Sequence, residues 1–153
     1  MNILDVHQYL AETFLPGITI TDPVALSIAR AYKMVPDVQH TLAELPCVMV
    51  TGHTLERSAF KPAWIQQEFA VQMDLFVRKS SVEQGMAAEI SAAFQHAIAI
   101  KLSDTQKLGG TVSVIRGLRS ELMPARLEWA GVSYTGATLL LDVTLTTSKE
   151  HAA

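Results

Sequence analysis

Apolar and polar residues alternate almost without error from Trp64 to Val77. Ile65, Phe69, Val71, Met73, Leu75 and Val77 share one parity, broken only by Gln67, while Gln66, Glu68, Gln72 and Asp74 fall on the other. A period of two over this length predicts a strand with one buried and one wet face. Ser133 to Thr147 repeats the pattern, with Ala137, Leu139, Leu141, Val143 and Leu145 set against Tyr134, Thr138, Asp142, Thr144 and Thr146. Between these segments the spacing changes to that of a helix. Ser80-Ser81 with Glu83 and Gln84 offers two overlapping capping boxes. Val82, Met86, Ile90, Ala93, Phe94 and Ala97 then form one stripe of a helix running to about Lys101.

The remaining segments are assigned by their punctuation. Asn2 caps a first helix to about Phe14, ended by Pro16-Gly17. Ile18 to Ile20 is a short extended piece. Asp22-Pro23 reads as an N-cap and first-turn proline of a second helix to about Met34, with a further turn or two of helix between Asp37 and Glu44. Leu45 to Thr51 reads as the first strand of the main sheet, and Gly52 to Pro62 as a long polar connection carrying Arg57, Phe60 and Lys61. Gly109-Gly110 punctuates before a strand from Thr111 to Leu118. Arg119 to Pro124 is expected as a turn or loop, followed by Ala125 to Trp129 and a tight Ala130-Gly131 connection. Helices, strand, strand, helix, strand, strand predict an α+β fold, with helices packed on one face of a mostly antiparallel sheet built from long hairpins. The single domain is expected over residues 1–148, with a helical N-terminal portion over 1–44, a core over 45–147 and a flexible tail over 149–153.

Composition narrows the function more than it identifies it. The 153 residues fit one domain, and a formal charge of −3 supplies no basic field for nucleic acid. The single cysteine, Cys47, sits in an apolar strand and reads as a small hydrophobe in a reducing compartment. No secretory signal or membrane-spanning run is apparent, so a soluble cytosolic protein is expected. The five histidines, His7, His40, His53, His96 and His151, lie at no metal-ligand spacing. Asp5, Glu12, Asp74 and Glu121 are dispersed, with no spacing that pairs them as acid and base. Gly109-Gly110-Thr111 lacks the lysine and helix of a phosphate loop. These absences point away from an enzyme, with no catalytic, metal or cofactor-binding residue assigned. Arg116, Arg119 and Arg126 form the one local basic cluster, suited to a hairpin end or to an acidic partner surface. Trp64, Phe76, Trp129 and Tyr134 are aromatics expected on or beside the wet faces, where an interface competes with cover by a helix or loop.

The layout also carries a resemblance. Leu45-Pro46-Cys47-Val48-Met49-Val50 is followed by a Trp-initiated strand, a capped helix, a Gly-Gly strand and the run Trp129-Ala-Gly-Val-Ser-Tyr-Thr-Gly-Ala-Thr-Leu139. Over about Leu45 to Thr147 this resembles the small tail-terminator, tail-completion and head–tail-joining proteins of tailed bacteriophages. The resemblance implies a structural virion protein of the tail or neck, assembled in the host cytoplasm. It would form a homo-oligomeric ring, commonly of six copies, that caps the tail tube and offers a docking face to the head–tail connector. It also implies a lumen that DNA could traverse without sequence-specific binding. On that reading the subunit or partner contacts are Arg57, Phe60, Lys61, Trp64, Arg116, Arg119, Arg126, Trp129 and Tyr134. Another neck component is the nearest alternative. A regulatory domain holding a small ligand between helix and sheet, with Gln67 and His96 as its polar groups, is the alternative from another class.

Overall fold

The structure is a computed structural model, described over residues 2–33, 45–79, 84–105 and 107–148. Helix α1 (Ile3–Tyr9) is capped by Asn2, whose Oδ1 accepts from the Leu4 amide at 3.0 Å. It continues without a break as a π-helical turn over Leu10–Phe14. The reason lies in the burial pattern. Val6, Leu10 and Phe14 repeat at intervals of four residues, as do His7, Ala11 and Leu15, and all six are buried. A stripe of that period drifts around an α-helix of 3.6 residues per turn, and the wider π turn brings Phe14 and Leu15 back onto the core.

The expected second helix does not form. Residues 18–28 make a small hairpin of β1 (Thr19–Ile20) and β2 (Leu26–Ser27), closed by the Ile28 amide on the Ile18 carbonyl at 2.8 Å. Strand β3 (Arg30–Lys33) then pairs parallel with Cys47–Val50. Ile18, Ile20 and Ile28 are buried. The backbone groups that a helix would have satisfied internally are thus spent on pairing, and the Asp22-Pro23 dipeptide sits in the hairpin connection. Among its described residues the N-terminal portion is helical only to Phe14. The expected helix at 37–44, the capping boxes at 80–83 and the tail at 149–153 lie outside the described residues.

The main sheet is α+β in character and mostly antiparallel. It has the order β3-β4-β5-β7-β6, with β4 (Cys47–Phe60), β5 (Trp64–Lys79), β6 (Val114–Trp129) and β7 (Val132–Ser148). The alternating segments are strands, each slightly longer than expected. Two expected connections are corrected: Gly52–Pro62 and Arg119–Pro124 are strand, not loop, apart from the Lys61–Ala63 turn. Their alternation is broken by β-bulges. The register slips past Thr51, Glu56, Arg116, Glu121 and once more between Leu122 and Ala125, so parity inverts every few residues.

Helix α2 (Gln84–Asp104) crosses the same face as α1, and its buried Ala87, Ile90, Phe94 and Ile98 share one core with Val48, Val50, Val71, Met73, Leu75 and the β7 residues Ala137, Leu139, Leu141, Val143 and Leu145, with Ser91 also buried. Ser91 costs little there because its hydroxyl donates to the Ala87 carbonyl at 2.7 Å. Lys101 ties α2 to the N-terminal segment, donating to the Phe14 carbonyl with its ammonium 4.9 Å from the Phe14 ring centroid. Lys107, Leu108, Gly109 and Gly110 all have positive φ and form a left-handed turn that seats Leu108 in the core. Glycine is favoured at 109, where φ is +65° and a Cβ would stand 2.5 Å from the Tyr9 ring and force it to move.

Candidate partner interface

The sheet face away from the helices carries the polar parity, and two of its bulges aim charged residues at each other. Glu56, the extra residue of β4, and Arg116, the extra residue of β6, sit on strands separated by β5 and β7. A carboxylate oxygen of Glu56 lies 3.6 Å from Arg116 and the other 3.9 Å from Arg119. Arg119 grips Asp142 with two hydrogen bonds, Nε to Oδ2 at 2.8 Å and Nη2 to Oδ1 at 3.1 Å. Those bonds, with the Asp142 charge, push the exposed Arg119 guanidinium above its usual range. Arg116 also donates to the carbonyls of Phe69 (3.3 Å) and Val143 (3.4 Å), cross-strand partners at the middle of the sheet.

Two carboxylates thus face two guanidiniums, so the cluster offers a neutral, hydrogen-bonding surface rather than a basic patch. Sequence reading placed Arg116, Arg119 and Arg126 in one local basic cluster tempered by Glu121. It missed Glu56, whose only signal is a charge at a break in parity, and Asp142, which lies on the regular polar parity of β7 with nothing local to mark its partner. Nearby, Asp74 accepts from Gln72 (3.3 Å) and Thr138 (3.1 Å). Burial nonetheless raises its carboxyl above the usual range, and Glu121 adds to that rise.

The other expected residues go to two distant places. Arg57, Phe60, Lys61 and Trp64 gather at the β4–β5 hairpin end, where Phe60 is 74% exposed and Trp64 36%. Arg57, Ala59, Lys61, Gln66 and Glu68 line an open polar groove there of about 280 Å³. Arg126, Trp129 and Tyr134 lie at the opposite end, by the Ala130-Gly131 turn. Arg126 donates to the Ser133 hydroxyl at 3.2 Å. Tyr134 is a correction, being 0% exposed, and Phe76 is 3% exposed. Their rings pack edge to face at 5.5 Å, in a second small core with Cys47 and Met49. Trp129, Leu127, Val132 and Tyr32 pack against it, so Trp129 is half-buried. This end of the wet face is a core of its own because four large apolar side chains converge there. Since β7 pairs Tyr134 with Lys79 and Ser148 with Trp64, about 45 Å of strand separates the two groups. One protomer cannot unite them.

Two scattered histidines do meet. His7 of α1 and His53 of β4 approach at 3.0 Å, Nε2 to Nδ1, with rings edge to face at 5.1 Å and Phe69 next in the stack. His7 is 1% exposed, and its Nδ1 makes no hydrogen bond of normal geometry. Burial, reinforced by His53, holds its pKa below the usual histidine value, and the Val50 carbonyl works the other way. Among the described residues no three His, Cys, Asp or Glu side chains are grouped to hold a metal. Gln67 donates to Ser58 at 3.5 Å and His96 is exposed on α2, so the polar groups expected for a ligand pocket do not converge. Cys47 is buried, as its strand position implies. No helix among the described residues is long and apolar enough to cross a membrane. Compared with known proteins, the chain matches no protein-family model, no curated protein and no solved structure.

Proposed function

We propose that this chain is a structural subunit of a tailed-phage neck or tail, acting as a tail terminator. Copies joined edge to edge would form a ring that ends the tail tube and receives the head connector. The observation that carries the reading is the pair of open sheet edges. Strand β3 covers only Cys47–Val50 of β4, leaving the outer edge of Thr51–Phe60 without a strand partner among the described residues. Strand β6 has β7 on one side and no described strand on the other along Val114–Trp129.

Long unpaired edges are a liability that a protein covers or uses. These two are different surfaces on opposite sides of one sheet, so pairing them between copies is head-to-tail, and a rotation that closes yields a ring. Strand directions agree: β6 runs opposite to β4, so an edge-to-edge contact between rotated copies is antiparallel. The neutral Glu56–Arg116–Arg119–Asp142 cluster suits the polar face of such a ring, which would contact the tube, the connector or passing DNA without drawing DNA into a tight complex.

The test is the native mass of the purified full chain across a dilution series. The reading expects one closed oligomer. A monomer at every concentration contradicts it.

A further inference from the structure

On the helix-covered side, β4 and β6 carry complementary apolar features at opposite sheet edges. Leu55 pairs with Phe69 and Phe60 with Ile65, which puts both on the parity that faces the helices. Yet they lie beyond helix cover, 49% and 74% exposed. Across the sheet, a groove of about 290 Å³ opens between α2 and the start of β6. It is lined by Ala99, Leu102 and Ser103 on one wall and Ile115, Arg116 and Leu118 on the other.

Building on the ring reading, we propose that the Leu55–Phe60 ridge of one copy docks in the α2–β6 groove of the next. The occupant is a second copy for two reasons. Ridge and groove cannot meet within one chain, because β5 and β7 hold β4 and β6 about 14 Å apart. They lie on the same side of the sheet, so laying β4 of one copy along β6 of the next brings them together without turning either over. The contact is heterologous, because each copy gives a ridge to one neighbour and a groove to the other.

Two surface variants separate the halves. Leu55→Glu with Phe60→Glu removes the ridge and keeps the groove, and Ala99→Arg fills the groove and keeps the ridge. Each residue is exposed, so both variants should retain the wild-type circular dichroism and melting temperature. By native mass spectrometry each variant alone runs as a monomer. Mixed above the concentration at which wild type assembles, they form a one-to-one heterodimer and nothing larger, since only one intact ridge and groove remain. Either variant retaining the wild-type oligomer, or a mixture that stays monomeric, overturns the ridge-and-groove contact and leaves the ring reading standing. A wild-type protein that is itself monomeric overturns both. Should a variant unfold, the chain carrying Phe60→Cys and Ala99→Cys replaces it. Mild oxidation then gives a ladder of covalent multimers if the contact exists, and monomers only if it does not.

Discussion

At the residue scale, His7 and Gly136 show how little of a side chain's role its neighbours in sequence disclose. His7 is buried against His53, and its pKa is depressed by burial and by the second imidazole. Above about pH 6.5 neither the folded nor the unfolded chain protonates this group, so burial of the neutral His7 ring carries no penalty for refusing a proton. As pH falls through that value the unfolded chain takes up a proton that the folded chain refuses, and stability declines until the lower folded pKa is reached. Urea unfolding at pH 8 and pH 5.5 should therefore show a loss on acidification that His7→Phe reduces. An equal loss in the variant would assign the effect to other groups. Gly136 stands where a Cβ would come 1.7 Å from the Leu75 carbonyl oxygen, beside the bulge at Val77. Gly136→Ala cannot be absorbed by a rotamer change. It should cost more than about 3 kcal/mol in denaturant unfolding or abolish folding, well beyond an ordinary overpacking defect.

At the scale of elements, alternation was readable wherever one face was buried and the ladder unbroken. Trp64–Phe76 and its partner Gly136–Ser148 meet both conditions, and their core parity was legible in advance. The outer half of β4 and the middle of β6 meet neither. Both faces near Leu55–Phe60 see solvent, and the bulges at Glu56, Arg116 and Glu121 invert parity, so strand looked like loop. Two of the same bulges carry Glu56 and Arg116 into the charged cluster, a meeting across four strands that no local pattern in the sequence records. Tyr134 and Phe76 were misplaced for a different reason: nothing local indicates that Cys47, Met49 and Trp129 converge to cover them. The segment at 22–33 failed because short apolar spacings fit a helix and a pair of brief strands equally well.

The β6–β7 turn was foreseen, and it offers a test. Ala130 and Gly131 have φ of +50° and +77°, the conformation of a two-residue hairpin turn. Alanine is strained there by about 1 kcal/mol, whereas asparagine tolerates it. Ala130→Asn should raise the denaturation midpoint by an amount equivalent to about 0.5–1 kcal/mol without changing the slope. A lower midpoint would show that the turn is held by something other than its own backbone preference.

At the scale of the whole molecule, the sheet is finished on its helix-covered face and unfinished at its sides. The core closes over β4, β5 and β7 with α1 and α2, a small second core closes one end of the other face, and both long edges stay open among the described residues. Open edges on both sides, an apolar ridge beside one and an apolar groove beside the other are the features on which the proposed self-assembly rests. The most direct measurement is the mass of the full chain by sedimentation or native mass spectrometry over a wide dilution range. The account predicts a single closed oligomer that persists on dilution, because each subunit must break two contacts to leave a ring. A monomer throughout, or an isologous dimer that masks only one kind of edge, would contradict it.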